Sequence, residues 1–144
     1  MELIDSHAHL DDRRFAKDLE AVLERAAQAG VTRIVTVGAG LESSRAAVAL
    51  ARAHKDVCAV VGVHPHEAKA MDARALAELR DLCRQQPPVV AVGEIGLDFY
   101  RDLSPRDVQR RAFRQQLELA DELGLPVVIH DRESRGEVLN ILAG

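Results

Sequence analysis

Two histidines, His7 and His9, stand one residue apart in "DSHAHL", directly after the apolar pair Leu3–Ile4. On an extended strand alternate side chains share a face, so the two positions lie about 6.6 Å apart along one side of the backbone. Two imidazoles placed this way can clamp one metal ion, although a bare surface HxH has the same spacing. Three further stretches carry ligand-type side chains. "VGVHPHEA", residues 61–68, offers His64 and His66, with Pro65 pushing His64 toward extended geometry. These two either decorate a polar loop or line a pocket where one imidazole binds a phosphate or assists proton transfer. "AVGEIGLDFYRD", residues 91–102, sets Glu94 at the end of an apolar run, where a carboxylate is costly unless paired or bound to metal. Its two oxygens can bridge two cations about 3.5–4 Å apart, the spacing of two-metal hydrolases; a salt bridge to an arginine is the other reading. Gly93 and Gly96 are expected to leave room beside it. "PVVIHDR", residues 126–132, places His130 after another apolar run, with Arg132 two residues on as a phosphate contact or an ion-pair partner.

The elements that must position these groups alternate along the chain. Short apolar runs occur at Leu3–Ile4, Ile34–Val37, Val57–Val63, Val89–Ile95 and Val127–Ile129. The last four read as strands buried on both faces, as in parallel sheets. Between them lie helical patterns. Phe15, Leu19, Val22, Leu23, Ala26 and Ala27 repeat at helical spacing before Gly30. Ser43 or Ser44 is expected to cap a second helix, Asp72 a third and Ser104 a fourth, the last with Pro105 in its first turn and Gly124 at its end. A fifth helix is expected over residues 134–142. Repeated βα units imply a parallel sheet with right-handed crossovers. Length favours an open doubly wound sheet over a (β/α)8 barrel of about 250 residues. In either, the C-terminal strand ends share one rim where active sites form. His7, His9, His64, Glu94 and His130 all fall at such ends. Imidazole with carboxylate suits zinc, manganese or iron, and magnesium where more oxygens contribute.

Composition bounds the rest. The chain has 144 residues, 47% of them hydrophobic and only 3% aromatic, so one domain spanning 1–144 with an Ala/Val/Leu/Ile core is expected. A net charge of −4 argues against holding nucleic acid by broad phosphate neutralisation, while leaving room for a nucleic-acid substrate at a small metal site. Cys58 and Cys83 are distant from each other and read as reduced, buried thiols, which places the chain in the cytoplasm. No apolar stretch approaches the roughly 20 residues of a membrane helix, and no signal peptide is evident, so no membrane partner is expected.

Taken in order, "DSHAHLD", "VGVHPHEA", "VGEIGLDFYRD" and "QRRAFRQQLELADELGLPVVIHDR" resemble the TatD family of metal-dependent hydrolases, whose members are known as deoxyribonucleases. The resemblance runs the whole length and implies an α/β TIM-type (β/α)8 barrel of the metal-dependent hydrolase group. It implies divalent metal ions, two per complete site (Mg, Mn or Zn), and hydrolysis of phosphodiester bonds with DNA as substrate. Carried over to this sequence, His7 and His9 are ligands of one metal, Glu94 bridges, and His130 holds the second. Glu94 and His64 are then the expected catalytic residues, and His64, His66 and Arg132 the expected substrate contacts. Asp5 is a candidate to orient His7 or His9. Asp98, Phe99 and Tyr100 either shape the pocket or serve the loop into the next helix.

The family pattern continues past a fifth strand to a further histidine and an aspartate. Here about five βα units are present, so an incomplete barrel is expected, with less hydrolysis than a full-length version and self-association through open sheet edges. Two rival readings remain: an amidohydrolase-like enzyme acting on a small amide, ester or lactone, and a non-catalytic barrel fragment.

Overall fold

The structure, a computed structural model, describes residues 2–144. Among the described residues five strands alternate with five helices: β1 (Leu3–Ala8), α1 (Leu19–Gln28), β2 (Val31–Val37), α2 (Leu41–Ala53), β3 (Val57–Val61), α3 (Ala73–Cys83), β4 (Val89–Asp98), α4 (Arg106–Leu123), β5 (Val127–Arg132) and α5 (Glu137–Ala143). A short 3-10 turn over Pro65–Ala70 links β3 to α3. All strand pairs are parallel, and the order is β1-β2-β3-β4-β5. Each new strand adds beside the last and the order never reverses. That winding is the barrel's, since a doubly wound open sheet reverses direction at a switch point. The five strands therefore form a curled half-barrel, and the length-based preference for an open sheet fails.

Two apolar layers follow from the period-two alternation of the strands. Val37, Val60 and Ala91, with Val35 and Val128 against them, form a small cluster on the concave face. The larger cluster, including Ile34, Val61, Val92, Ile95, Leu97, Leu79, Phe113 and Leu119, packs strands against helices. Burial of this second layer supplies most of the fold's hydrophobic stabilisation. β3 and β4 are largely buried. β1 is exposed and β5 half-buried with an exposed end, because each borders the sheet and has a strand on only one side. The expectation that β5 is buried on both faces is thereby corrected.

Local starts and stops also depart from the sequence reading. α1 begins at Leu19 rather than near Phe15, because residues 12–18 close successive turns, with Phe15 N–H donating to the Asp12 carbonyl. Ser43 and Ser44 lie inside α2, which starts after Gly40. Ser44 instead uses its hydroxyl to bridge the Gly62 N–H and C=O, 3.1 Å each, at the end of β3. Ser104 does not cap α4. It is buried, donates to the His66 carbonyl (2.9 Å) and accepts from the Lys69 N–H (3.3 Å), so it braces the 3-10 turn. α5 starts at Glu137 because Arg135 and Gly136 both take positive φ. Asp72 does cap α3, accepting from the Ala75 N–H at 2.8 Å, and Gly124 closes α4 in the left-handed conformation.

Candidate metal centre

The register of β4 explains how a carboxylate enters the concave face. Val92 pairs with Val127 and Ile95 with Ile129, so three steps on β4 oppose two on β5. The extra residue is a bulge that shifts the alternation. Val92 and Ile95 both face the helices, three positions apart rather than two. Glu94 is thus turned toward the sheet interior, and Gly96 and Asp98 share its parity. β1 has the same irregularity between Asp5 and Ala8, at the approach to His7 and His9. The glycines do not make room for Glu94, as the sequence suggested. A Cβ at Gly93 would press on Val128, and one at Gly96 would overlap the His130 carbonyl oxygen, so both let the β5 backbone come close.

The structure brings the expected residues together at one rim. Glu94 presents one oxygen to each side. Its Oε2 lies 3.4 Å from His7 Nε2 and its Oε1 lies 3.1 Å from His130 Nδ1. The ring centroids of His7 and His9 are 5.1 Å apart. His9 Nδ1 lies 2.8 Å from the Val37 carbonyl oxygen, which can only accept, so in the neutral ring the proton sits on Nδ1 and the lone pair on Nε2. Asp5 does not perform this orienting role. Its Oδ1 accepts from the His7 backbone N–H at 3.1 Å, and the Val37 carbonyl holds the ring of His9 instead.

The donor chemistry fits divalent cations. His7, His9 and Glu94 can each offer a ligand atom with all such atoms within 4.8 Å of one another; so can His64, Glu94 and His130. Both groups share Glu94, the one residue with two oxygens to divide between them. His64 differs from the other imidazoles. It is buried, and its Nδ1 accepts the His66 backbone N–H at 3.1 Å, so in the neutral ring the proton is on Nε2. Burial, followed by the adjacent His130 ring 4.4 Å away, pushes His64 down to about 4. The ring is therefore neutral near pH 7 and offers a hydrogen-bond donor more readily than a lone pair.

Asp98, for which the sequence allows either a pocket or a loop role, serves both. Its side chain is fully buried. Oδ1 accepts from the N–H groups of Tyr100 (3.1 Å) and Arg101 (2.8 Å), while Oδ2 lies 2.6 Å from His66 Nε2 and 3.2 Å from His130 Nε2. Burial pushes its pKa up, but the Arg101 N–H and the two imidazoles outweigh burial and hold it at about 2. Period-two counting from Glu94 places it on the same face of β4. Arg132, the last residue of β5, is exposed and lies over the Tyr100 ring with its guanidinium carbon 4.1 Å from the centroid. His66 thus joins the cluster through Asp98 and the His64 ring, while Arg132 is engaged with Tyr100.

Comparison with known proteins bears on this geometry. The family model described as TatD related DNase matches residues 4–144. The chain is 40% identical over 140 residues to the uncharacterized metal-dependent hydrolase YabD of Bacillus subtilis, covering 97% of this chain and 54% of that protein. It is 42% identical over 141 residues to the 3'-5' ssDNA/RNA exonuclease TatD of Erwinia tasmaniensis, again covering 97% of this chain and 54% of the relative. The crystal structure of YJJV, a TatD homolog from Escherichia coli, superposes with a TM-score of 0.91 at 36% identity, over 98% of this chain and 55% of that one. The chain spans about half the length of the curated relatives it matches.

Proposed function

Because the chain belongs to the TatD related DNase family, we propose that its rim of imidazoles and carboxylates serves metal-dependent hydrolysis of phosphodiester bonds in single-stranded DNA or RNA. The supporting observation is the placement of Glu94 between His7 on one side and His130 on the other. A carboxylate so placed is the natural shared ligand of two cations. In this reading His7 and His9 would hold one cation, His130 the other, and Glu94 would serve both. Magnesium, manganese and zinc are the candidates, with two ions per complete site. Divalent cations, when bound, supply Lewis-acid charge that makes water a better nucleophile and offsets charge developing on phosphate oxygens.

The chain's own side chains do the remaining work. His64, neutral and carrying its proton on Nε2, donates a hydrogen bond to a phosphate oxygen or a departing alkoxide. His66, held by Asp98, lines the same wall. Arg132 and Tyr100 form an exposed stacked pair whose guanidinium meets a phosphate while the aromatic edge meets a base. This local positive charge matters because the net charge of −4 provides no broad attraction for nucleic acid. Two further readings accompany the proposal. Leu3 and Ile4 are exposed on edge strand β1, which favours self-association of this chain; a single monomeric species in sedimentation at tens of micromolar would refute that. Two unbonded thiols accord with a cytoplasmic location, and none of the helices in residues 2–144 is long and apolar enough to cross a membrane.

The test is hydrolysis of a 5'-labelled single-stranded oligonucleotide with added manganese or magnesium, run beside a panel of small amides and lactones. Shortening of the oligonucleotide that EDTA and Glu94→Gln both abolish supports the reading. Turnover confined to the amide or lactone panel, or nuclease activity indifferent to Glu94→Gln, overturns it.

A further inference from the structure

We infer that Asp98 is a positioning residue that sets the tautomers of His66 and His130 together, and so decides whether the His130 Nδ1 facing Glu94 carries a proton or a lone pair. The inference deepens the hydrolase reading and rests on it for its consequence, but its geometry stands on its own. Asp98 ends β4, and its backbone is fixed on both sides by Gln109: the Asp98 N–H donates to Gln109 Oε1 (2.8 Å), and Gln109 Nε2 donates to the Asp98 carbonyl (3.1 Å). One carboxylate oxygen is used up by the N–H groups of Tyr100 and Arg101. That leaves Oδ2 to face two imidazole nitrogens, His66 Nε2 and His130 Nε2.

A carboxylate oxygen only accepts, so each of those nitrogens must bring the proton. For His130 the consequence is specific. Glu94 Oε1, 3.1 Å from Nδ1, makes the same demand, and a neutral ring has one proton; the fully buried Asp98 takes it, because water or a cation can reach the less buried Glu94, and Nδ1 then keeps its lone pair. A divalent cation bound beside Glu94 would take up that lone pair together with Oε1. The arrangement is the carboxylate–histidine pairing that fixes ring orientation beside metal ions. Here one carboxylate serves two rings, because the 3-10 turn that carries His66 packs against the end of β4 and is braced there by Ser104.

Long-range proton–nitrogen NMR of the metal-free protein at pH 8 reads the tautomers directly, with signals assigned through His66→Gln and His130→Gln. The wild-type protein is expected to show the Nε2–H form for both rings. Asp98→Asn keeps an acceptor for Tyr100 and Arg101 but turns an NH2 toward both imidazoles. Both rings must then move their protons to Nδ1, and manganese or zinc affinity measured by calorimetry is expected to fall about 10- to 100-fold. An Nδ1–H form of either ring in the wild-type spectrum overturns the inference whether or not the variant folds. Unchanged tautomers in a folded Asp98→Asn protein overturn it as well. The hydrolase reading is judged separately by Glu94→Gln and oligonucleotide cleavage, so the two fail by different measurements.

Discussion

Gly96 lies opposite His130 in the β4–β5 register, and its φ of +138° puts the hydrogen that any other residue would replace with a side chain directly against the His130 carbonyl oxygen. The contact ties backbone packing to the candidate site, because the strand segment that touches Gly96 is the one that carries the imidazole toward Glu94.

Gly96→Ala is therefore expected to cost both stability and metal binding. The added methyl meets backbone rather than a flexible side-chain end, and the residue is also left with an unfavourable φ. A loss of roughly 3 kcal/mol or more in urea unfolding is expected. Manganese affinity should fall with it, since β5 has to move away from β4. A folded Gly96→Ala protein with wild-type stability would contradict the close approach.

Gln116 tests how the histidine-bearing loop is held. It is fully buried on α4, its Oε1 accepts from the Val63 N–H at 2.7 Å, and its Nε2 donates to the carbonyls of Val63 and Ala112. Gln116→Leu is similar in volume but strands the polar backbone of Val63, the residue before His64. A destabilisation of about 2–3 kcal/mol is expected in chemical denaturation, with faster amide exchange at Val63 and His64. Gln116→Glu, which keeps the acceptor, should leave the Val63 N–H better protected than the leucine variant does.

Asp72 and Ser104 separate a true cap from a residue that only looks like one. Asp72→Ala removes the hydrogen bond to Ala75 N–H and should cost about 1 kcal/mol in a thermal melt, recovered largely by Asp72→Asn. Ser104→Ala should leave α4 helicity intact and instead loosen the Pro65–Ala70 turn, read as greater amide exchange at Lys69.

Cys83 predicts an alkaline limit to stability. It is fully buried, and burial pushes its thiol up to about 11 from an ordinary value of 9.0. The folded state thus holds the proton more tightly than the unfolded chain does. Its contribution is complete below pH 9 and is lost as pH rises from 9 through 11. Between pH 8 and pH 11 the wild-type protein should lose roughly 2 kcal/mol relative to Cys83→Ala over the same range. In the folded protein at pH 8, iodoacetamide should label the half-buried Cys58 well before Cys83. Equal labelling rates would contradict the burial.

Some of this molecule could be read residue by residue. The Val- and Ile-rich runs at 34–37, 57–63, 89–95 and 127–129 marked four strands, and the helical repeats between them marked the crossovers, because both periodicities are local properties of a chain. His7, His9, His64, Glu94 and His130 were visible as one constellation because each follows such a run, and parallel strands bring their C-terminal ends to one rim. What the chain's linear pattern left open were events between distant segments. The unreversed strand order chose the half-barrel over the open sheet. The bulge at Glu94 arises from pairing with β5, so nothing within β4 announces it. Ser44 and Ser104 have the composition of helix caps, yet their hydroxyls bond the backbone of Gly62, His66 and Lys69. Asp98 resembles a loop residue until His66 and His130 arrive from other elements. Side-chain periodicity depends on neighbours a few positions away, whereas register, bulges and shared acceptors depend on which segments meet in space, and only the folded chain decides that.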